Sequence, residues 1–444
     1  MALPDLIEIV PLDGPVRAEV TVPGSKSITN RALILAALNE GETTLQGALW
    51  SEDTQVMVEC LQELGFMINV EPDAQGACNR TITVYGKGGL VPPGGTANQP
   101  LELFVGNAGT AARFLAALVC LGKGVYQLRG VPRMHERPQA ALVQALRELG
   151  YRIDTPNDRL PALIFGMGPR SARCRVSLED SSQFASALLL CARAGQWQVE
   201  VTGQSAEESP YVVMTAKLIK AFPEAGGTLQ IEPDASSASY FWGAGFLING
   251  SESLHAVKAS QQPFSSRAVA PASAVIVRAG PASDWQVDAA FPRFLPLPAA
   301  ISRRTDLGDS IMTAIVLAPF SSQPVRFTDL GRLRVQECER VVALRTELAR
   351  CGAKVVELGD TLTVFPSALH GAEIETYGDH RMAMCFAILG LKVSGIRLKN
   401  PGCVKKTFPS FYQKLAALPP VGLGARIVDG KSRRALSEAE LIAE

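Results

Sequence analysis

The chain has 444 residues, 47% of them hydrophobic, which is enough for two domains with sizeable cores. Its 43 basic and 43 acidic residues cancel, so no global field favours nucleic acid or an anionic membrane surface. Nine dispersed cysteines without a CxxC pair, and only four histidines, suit reduced thiols and argue against a disulfide framework or a zinc site.

At the N-terminus, Asp5 and Glu8 stand where a signal peptide would need a basic stretch ahead of an apolar one. No run approaches the roughly 18 apolar residues needed to span a bilayer. The expectation is a soluble cytoplasmic protein. The first predicted helix follows Gly24-Ser25-Lys26-Ser27-Ile28-Thr29-Asn30-Arg31. Further helix starts follow at Asn107-Ala108-Gly109-Thr110-Ala111-Ala112-Arg113, Asp180-Ser181-Ser182-Gln183, Asp234-Ala235-Ser236-Ser237, Gly308-Asp309-Ser310 and Gly378-Asp379-His380-Arg381. In each, Ser, Thr, Asp or Asn stands where it can cap the first N–H groups, and about ten good helix formers follow. A helix start attracts anions, because its unpaired N–H groups and its dipole both favour negative charge. Several such starts carrying Lys or Arg suggest a cleft for multiply anionic small molecules.

A second amphipathic helix follows four of these starts. Its closest copies are Cys60-Leu61-Gln62-Glu63-Leu64-Gly65-Phe66, Ala145-Leu146-Arg147-Glu148-Leu149-Gly150-Tyr151 and Leu348-Ala349-Arg350-Cys351-Gly352-Ala353. The glycine marks the residue after the helix end, and alternating runs such as Lys354-Val355-Val356-Glu357-Leu358 read as strands. The repeat is strand, helix, strand, helix and a strand pair, used six times as a whole supersecondary unit. A single capped, Ala-rich helix is ordinary in any α/β protein; six in register are not. The fifth unit is the weak copy, since Pro263 and Pro271 spoil a second helix across 262–280. Residues 421–444 are polar and charged and are expected to form a frayed tail.

Five segments together carry a family resemblance. Pro23-Gly24-Ser25-Lys26-Ser27-Ile28-Thr29-Asn30-Arg31, Gly106-Asn107-Ala108-Gly109-Thr110, Pro132-Arg133-Met134-His135-Glu136-Arg137-Pro138, Tyr377-Gly378-Asp379-His380-Arg381-Met382-Ala383-Met384 and Lys406-Thr407-Phe408-Pro409 resemble the motifs of the 5-enolpyruvylshikimate-3-phosphate synthases. The likeness runs in the expected order from residue 15 to about 418. It implies transfer of the enolpyruvyl group of phosphoenolpyruvate to the 5-hydroxyl of shikimate 3-phosphate, with release of phosphate and no cofactor or metal. It also implies an α/β fold of two similar domains, each of three βαβαββ units in an inside-out, barrel-like arrangement, with the active site in the interdomain cleft. The domains would be 24–232, on the shikimate 3-phosphate side, and 1–23 with 233–444, the chain crossing twice. A monomer with small-molecule substrates is expected, with neither nucleic acid nor membrane as partner.

Shikimate 3-phosphate and phosphoenolpyruvate each carry a phosphate and a carboxylate, which guanidinium forks, hydroxyls and amides at helix starts suit. By resemblance, Ser181, Ser182 and Gln183 face the phosphate and hydroxyls of shikimate 3-phosphate, with Tyr211 nearby, while Lys26, Ser27 and Arg31 hold its carboxylate end. Lys26, Gly109, Thr110, Arg137, Gln183, Arg340, Arg381 and Lys406 match the phosphoenolpyruvate positions. Asp309 matches the aspartate beside the 5-hydroxyl, and Lys26 and Glu337 match the groups that move the proton at carbon 3. Simpler readings stand beside these. Ser181, Ser182 and Gln183 can be a plain cap, as can Asp309, and Arg340 can lie on the solvated face of a charged helix predicted over Val335 to Cys351.

The segment Arg332-Leu333-Arg334-Val335-Gln336-Glu337-Cys338-Glu339-Arg340 departs from the family pattern, which usually has Asn, Lys and Asp where this chain has Arg332, Gln336 and Glu339. Gln336 stays a shikimate 3-phosphate candidate, but as a neutral group. At Glu208-Ser209-Pro210-Tyr211, Glu208 stands where Ser is common. Region 250–305 matches the family poorly. The nearest rival is an enolpyruvyl transferase acting on a UDP-amino sugar, which typically has a Lys-Asn pair in the first motif and a reactive loop Cys; here Ser27 follows Lys26. A silent ligand-binding relative would lack catalytic groups, yet Lys26, Asp309, Glu337, Arg381 and Lys406 are present. Gly24-Ser25-Lys26-Ser27 is no P-loop, because Glu19 occupies the place of its first glycine.

Overall fold

The computed structural model describes residues 3–73, 78–178, 181–203, 209–250, 274–278 and 280–443. The chain divides into two compact units, Gly24–Glu232 and Met1–Pro23 together with Pro233–Glu444.

In the Gly24–Glu232 unit, the helices Lys26–Leu38, Gly109–Leu118 and Ser182–Gly195 pack on one another. They run side by side with their starts at one end. Gln183 Nε2 donates to Thr110 Oγ1 at 3.5 Å, and one helical turn further in, Arg31 Nη2 donates to Ser186 Oγ at 3.0 Å. Three sheets accompany them. In the first, Gly227–Gln230 is parallel to Glu40–Leu49, which is antiparallel to Asn79–Lys87, itself antiparallel to Met67–Pro72. The second repeats that order with Leu101–Phe104, Lys123–Arg129, Ala162–Met167 and Arg152–Asp154. The third is the parallel pair Ala172–Ser177 and Trp197–Thr202. A parallel pair needs a crossover, and a buried helix supplies it in the second and third sheets.

The other unit repeats the plan. Its central helices are Ala235–Asn249, Ile311–Leu317 and His380–Gly390. They are tied by Ser239 Oγ and Thr313 Oγ1 at 2.8 Å and by Thr313 Oγ1 and Cys385 Sγ at 3.8 Å. Its sheets are Ala300–Ser302, Val325–Thr328, Thr361–Val364 and Val355–Leu358; Glu373–Ile374, Ile396–Lys399, Leu6–Ile9 and Ile427–Asp429; and the parallel pair Ala18–Val20 and Val275–Val277. Every residue of His380–Gly390 is buried, which explains why these helices are apolar on all sides.

Two strands are exchanged. Ala18–Val20 leads into the Lys26–Leu38 helix but pairs with Val275–Val277. Gly227–Gln230 leads into the Ala235–Asn249 helix but pairs with Glu40–Leu49. The chain therefore leaves one unit after Pro23 and returns after Glu232. Main-chain bonds pin each passage, from Ser25 N–H to Glu232 O and from Asp234 N–H to Pro23 O, both 2.8 Å.

The second helices Glu52–Glu63, Ala140–Glu148 and Arg340–Arg350 are followed by Gly65, Gly150 and Gly352, with φ of 92°, 87° and 91°. A side chain there would strain the backbone that closes the helix. Three expectations need correction. Side-chain caps form at Ser181, Asp234 and Asp379, but the helices that follow Ser25, Ala108 and Ser310 have none. The helix predicted from Val335 begins only at Arg340, after a 3-10 stretch over Leu330–Val335. Residues 421–443 are not a frayed tail. Ile427–Asp429 pairs with Leu6–Ile9, and Leu423, Ala425, Ile427, Val428 and Leu441 are buried. The strand itself holds only the apolar pair Ile427-Val428, which the polar average of the segment conceals. The segment 262–273 of the weak copy lies outside the described residues, as do Asp180 and Glu208. Among the described residues no helix is long and apolar enough to cross a membrane.

Ile427 tests the terminal strand. Ile427→Ala should lower stability by about 2–5 kcal/mol in urea unfolding; a change no larger than that of an exposed site would mean the segment adds nothing.

Candidate active site

In the Gly24–Glu232 unit, Lys26 opens its helix and its Nζ reaches Asp53 Oδ2 at 3.0 Å. Asp53 lies in the first turn of Glu52–Glu63 and is 3% exposed. Arg31 is turned inward. Its Nε donates to Thr215 Oγ1 at 2.7 Å, Nη1 to Ser27 O at 2.8 Å and Nη2 to Ser186 Oγ at 3.0 Å. Burial lowers its pKa to about 10, with the Tyr211 charge opposing, and the guanidinium still keeps its charge at neutral pH. Tyr211 sits in the first turn of Pro210–Ala221, and its carbonyl accepts from Thr215 Oγ1 at 2.7 Å.

Gly109, Thr110, Arg113, Arg137 and Gln183 form a second group. Gly109 is the first residue of its helix, and a Cβ built on it would lie 2.7 Å from Nη1 of Arg113 and 2.7 Å from Nη2 of Arg137. Only glycine lets the two guanidinium groups approach the backbone this closely. Arg113 Nη1 donates to Gly109 O at 3.0 Å and its Nη2 to Pro138 O at 2.9 Å. Arg137 is buried and Nη1 donates to Asn107 O at 3.3 Å. Ser181 accepts from Gln183 N–H at 3.2 Å, so it does cap its helix, while Gln183 extends its amide to Thr110. Ser182 is buried beside them.

The other unit holds a denser network. Arg340 is 1% exposed and binds Asp379 with two nitrogens, Nε to Oδ2 at 2.7 Å and Nη2 to Oδ1 at 3.2 Å. Its Nη2 also lies 2.9 Å from Glu337 Oε2, and Nη1 donates to Gln336 Oε1. Arg340 is therefore no solvated arginine. Burial disfavours its charge, but Asp379, Glu337 and Asp309 outweigh that and raise its pKa. Asp379 also caps the next helix by accepting from Arg381 N–H at 2.8 Å.

Asp309 does not use its carboxylate as a cap. Its Oδ1 is 3.0 Å from Arg303 Nη2 and its Oδ2 is 3.0 Å from Arg381 Nη2. Burial alone would raise its pKa, but Arg381, Arg303 and Arg340 prevail over it and over Glu337. They hold the carboxyl well below the usual carboxylate range. Arg381 Nη1 donates to Tyr240 Oη at 3.3 Å, and Lys406, at the end of a 3-10 stretch, is buried. Asp288 fixes the backbone around Asp309. It accepts from Gly308 N–H and Ser310 Oγ at 2.6 Å each and from Ser236 Oγ.

Within their own units, Lys26, Arg31, Gly109, Arg137, Gln183, Asp309, Gln336, Glu337, Arg340 and Arg381 lie in these groups, and Ser182 and Lys406 are buried. Sequence reasoning missed Asp53, Arg113, Asp288 and Arg303, and it read Asp379 only as a cap. Asp53 stood at a predictable helix start, Ser51-Glu52-Asp53, and Arg113 in the first turns of the helix that Gly109 opens; nothing local marked Arg303 or Asp288. Among the described residues, no three His, Cys, Asp or Glu side chains gather as a metal site would require.

Helices buried in threes, with cations and carboxylates around their starts, define a class of two-unit α/β proteins suited to small, multiply anionic molecules. The chain belongs to the EPSP synthase (3-phosphoshikimate 1-carboxyvinyltransferase) family, whose model matches residues 12–224 and again 222–415. A Trichormus variabilis protein described as 3-phosphoshikimate 1-carboxyvinyltransferase is 39% identical over 434 residues, 92% of this chain and 98% of its own. One of the same description from Pseudomonas savastanoi is 39% identical over 442 residues, 93% of this chain and 97% of its own. Two solved structures share the fold. EPSP synthase from Acinetobacter baumannii has a TM-score of 0.64 at 21% identity, covering 95% of this chain and 99% of its own. The enolpyruvyl transferase NikO from Streptomyces tendae has 0.62 at 16%, covering 96% and 99%.

The Arg340–Asp379 pair can be tested apart from activity. Asp379→Ala should cost about 3–5 kcal/mol of stability in urea unfolding, because a buried guanidinium loses its main partner. Arg340→Met with Asp379→Leu should recover part of that loss, and equal losses in the two proteins would refute the pairing.

Proposed function

We propose that the protein transfers the enolpyruvyl group of phosphoenolpyruvate to the 5-hydroxyl of shikimate 3-phosphate and releases phosphate, a step of aromatic amino-acid synthesis in the cytoplasm. The observation that carries this reading is the family match across both halves of the chain, which spans every charged group described above. Shikimate 3-phosphate is held by Ser181, Ser182, Gln183, Tyr211 and Gln336, with Lys26, Ser27 and Arg31 at its carboxylate end and Asp309 at its reacting 5-hydroxyl. Phosphoenolpyruvate is held by Lys26, Gly109, Thr110, Arg137, Gln183, Arg340, Arg381 and Lys406. Because Arg31 commits three of its five N–H groups inside its unit, its share is mainly charge and the shape it gives Ser27.

Asp309 takes the proton of the 5-hydroxyl as that oxygen attacks carbon 2 of phosphoenolpyruvate. Lys26 gives a proton to carbon 3, so the methylene becomes a methyl and a tetrahedral ketal phosphate forms. Loss of a methyl proton, to Glu337 or Lys26, then restores the double bond as the carbon–oxygen bond to phosphate breaks. Buried guanidinium groups and Lys406 stabilise the charge that grows on phosphate and carboxylate, which is the largest expected contribution. Removing a single acid–base group costs about 10²–10⁴ in rate.

Two measurements follow. Phosphate release should require both substrates together, and Asp309→Ala should lower kcat by about 10²–10⁴; release from phosphoenolpyruvate alone would exclude the reaction. Glyphosate should inhibit in competition with phosphoenolpyruvate. Gly109→Ala, by pushing the Arg137 and Arg113 guanidinium groups aside, should weaken that inhibition and raise the KM for phosphoenolpyruvate. An unchanged KM and inhibition constant in Gly109→Ala would place the inhibitor elsewhere.

A further inference from the structure

Asp309 carries one arginine on each carboxylate oxygen, and the two arginines are held differently. Arg381 lies in the first turn of a buried helix, shares its guanidinium with Tyr240, and on the reading above is committed to phosphoenolpyruvate. Arg303 follows the strand Ala300–Ser302, and its N–H donates to Thr328 O at 3.1 Å, which fixes its backbone to the neighbouring strand. Its side chain is 9% exposed, and its Nε is buried with no hydrogen-bond partner among the described residues. The charged groups acting on Asp309 are Arg381, Arg303, Arg340 and Glu337, while Asp288 binds the backbone on either side of it. Gln336 is neutral and bound to Arg340, so it adds no charge there.

We propose that Arg303 is a positioning residue for Asp309, keeping the carboxylate ionised and aimed when Arg381 turns to the anionic substrate. This rests on the reading of Asp309 as the proton acceptor. With both arginines in place, Asp309 is a weak base. Once a substrate carboxylate neutralises Arg381, the field on Asp309 falls and its basicity rises toward the ordinary carboxylate range. The oxygen that Arg381 occupied, Oδ2, is then open to the 5-hydroxyl, while Arg303 still fixes Oδ1. Without Arg303, burial and Glu337 would act on a carboxylate with no neighbouring cation free of substrate, and Asp309 would protonate at higher pH. Since the base must be ionised, its activity would be lost sooner as pH falls.

The test is the pH profile of kcat from about pH 3 to about pH 9, which reports the substrate-bound enzyme. It is measured with both substrates saturating, alongside thermal melts. Relative to wild type, Arg303→Gln should move the acid limb upward by roughly 1–3 pH units, with kcat at neutral pH reduced about ten-fold and the KM for phosphoenolpyruvate changed much less. Arg303→Lys keeps the charge and should return the limb to its wild-type place. The inference is overturned if Arg303→Gln melts like wild type and keeps its limb and kcat, or if a folded Arg303→Lys shows the limb displaced upward. Should Arg303→Gln fail to fold, the Lys protein decides alone by the same criterion. A wild-type protein that turns over nothing would overturn the reaction itself; an active wild type with an unmoved Arg303→Gln would overturn only the role of Arg303.

Discussion

Three helices packed in parallel with their starts at one end form the constraint that each unit obeys. Side-by-side parallel dipoles repel, and their unpaired N–H groups gather in one place. Burial of Ala, Leu, Ile and Phe on every helix face offsets that cost, as in His380–Gly390, which has no exposed residue. Buried hydroxyls set the register. Ser186 with Thr215, and Ser239 with Thr313, join neighbouring elements at 2.9 Å and 2.8 Å, each satisfying groups that could not otherwise be buried. What remains is an end of each triad where negative charge is welcome. Three of the six helices leave that end without a side-chain cap.

The cations near those ends do not wait unpaired. Lys26 is matched by Asp53, Arg340 by Asp379 and Glu337, and Arg381 by Asp309. Buried charge is tolerated only when it is paired and hydrogen-bonded. An anionic substrate must therefore compete with an internal carboxylate for its cation. On the reading proposed for Asp309, that exchange would couple binding to chemistry, because a carboxylate released from an arginine becomes a stronger base.

The topology answers a different demand. A parallel strand pair needs a crossover, and in two of the six cases the crossover helix and its leading strand fall in different units. Ala18–Val20 and Gly227–Gln230 each complete a sheet that begins elsewhere in the chain. The C-terminal strand Ile427–Asp429 does the same for the sheet built on Leu6–Ile9, so both chain ends are locked into one sheet.

Much of this is legible in the amino-acid sequence. The six helix starts, the closing glycines Gly65, Gly150 and Gly352, and the motif residues from Lys26 to Lys406 are local signals, and local sequence reports them because caps, turns and helical period act over three or four residues. The average polarity of residues 421–443 hides a short strand whose apolar residues are only the neighbours Ile427 and Val428. The partners of the charged groups are beyond reach of the sequence. Lys26 and Asp53 are 27 residues apart, Arg340 and Asp379 are 39, and Arg303 reaches Asp309 across only six, yet through a turn that no helix or strand period describes. The sequence by itself determined which groups are charged and where helices begin. Tertiary structure decided which charge neutralises which, because ion pairing depends on distance in space and on burial, and neither is written in spacing along the chain.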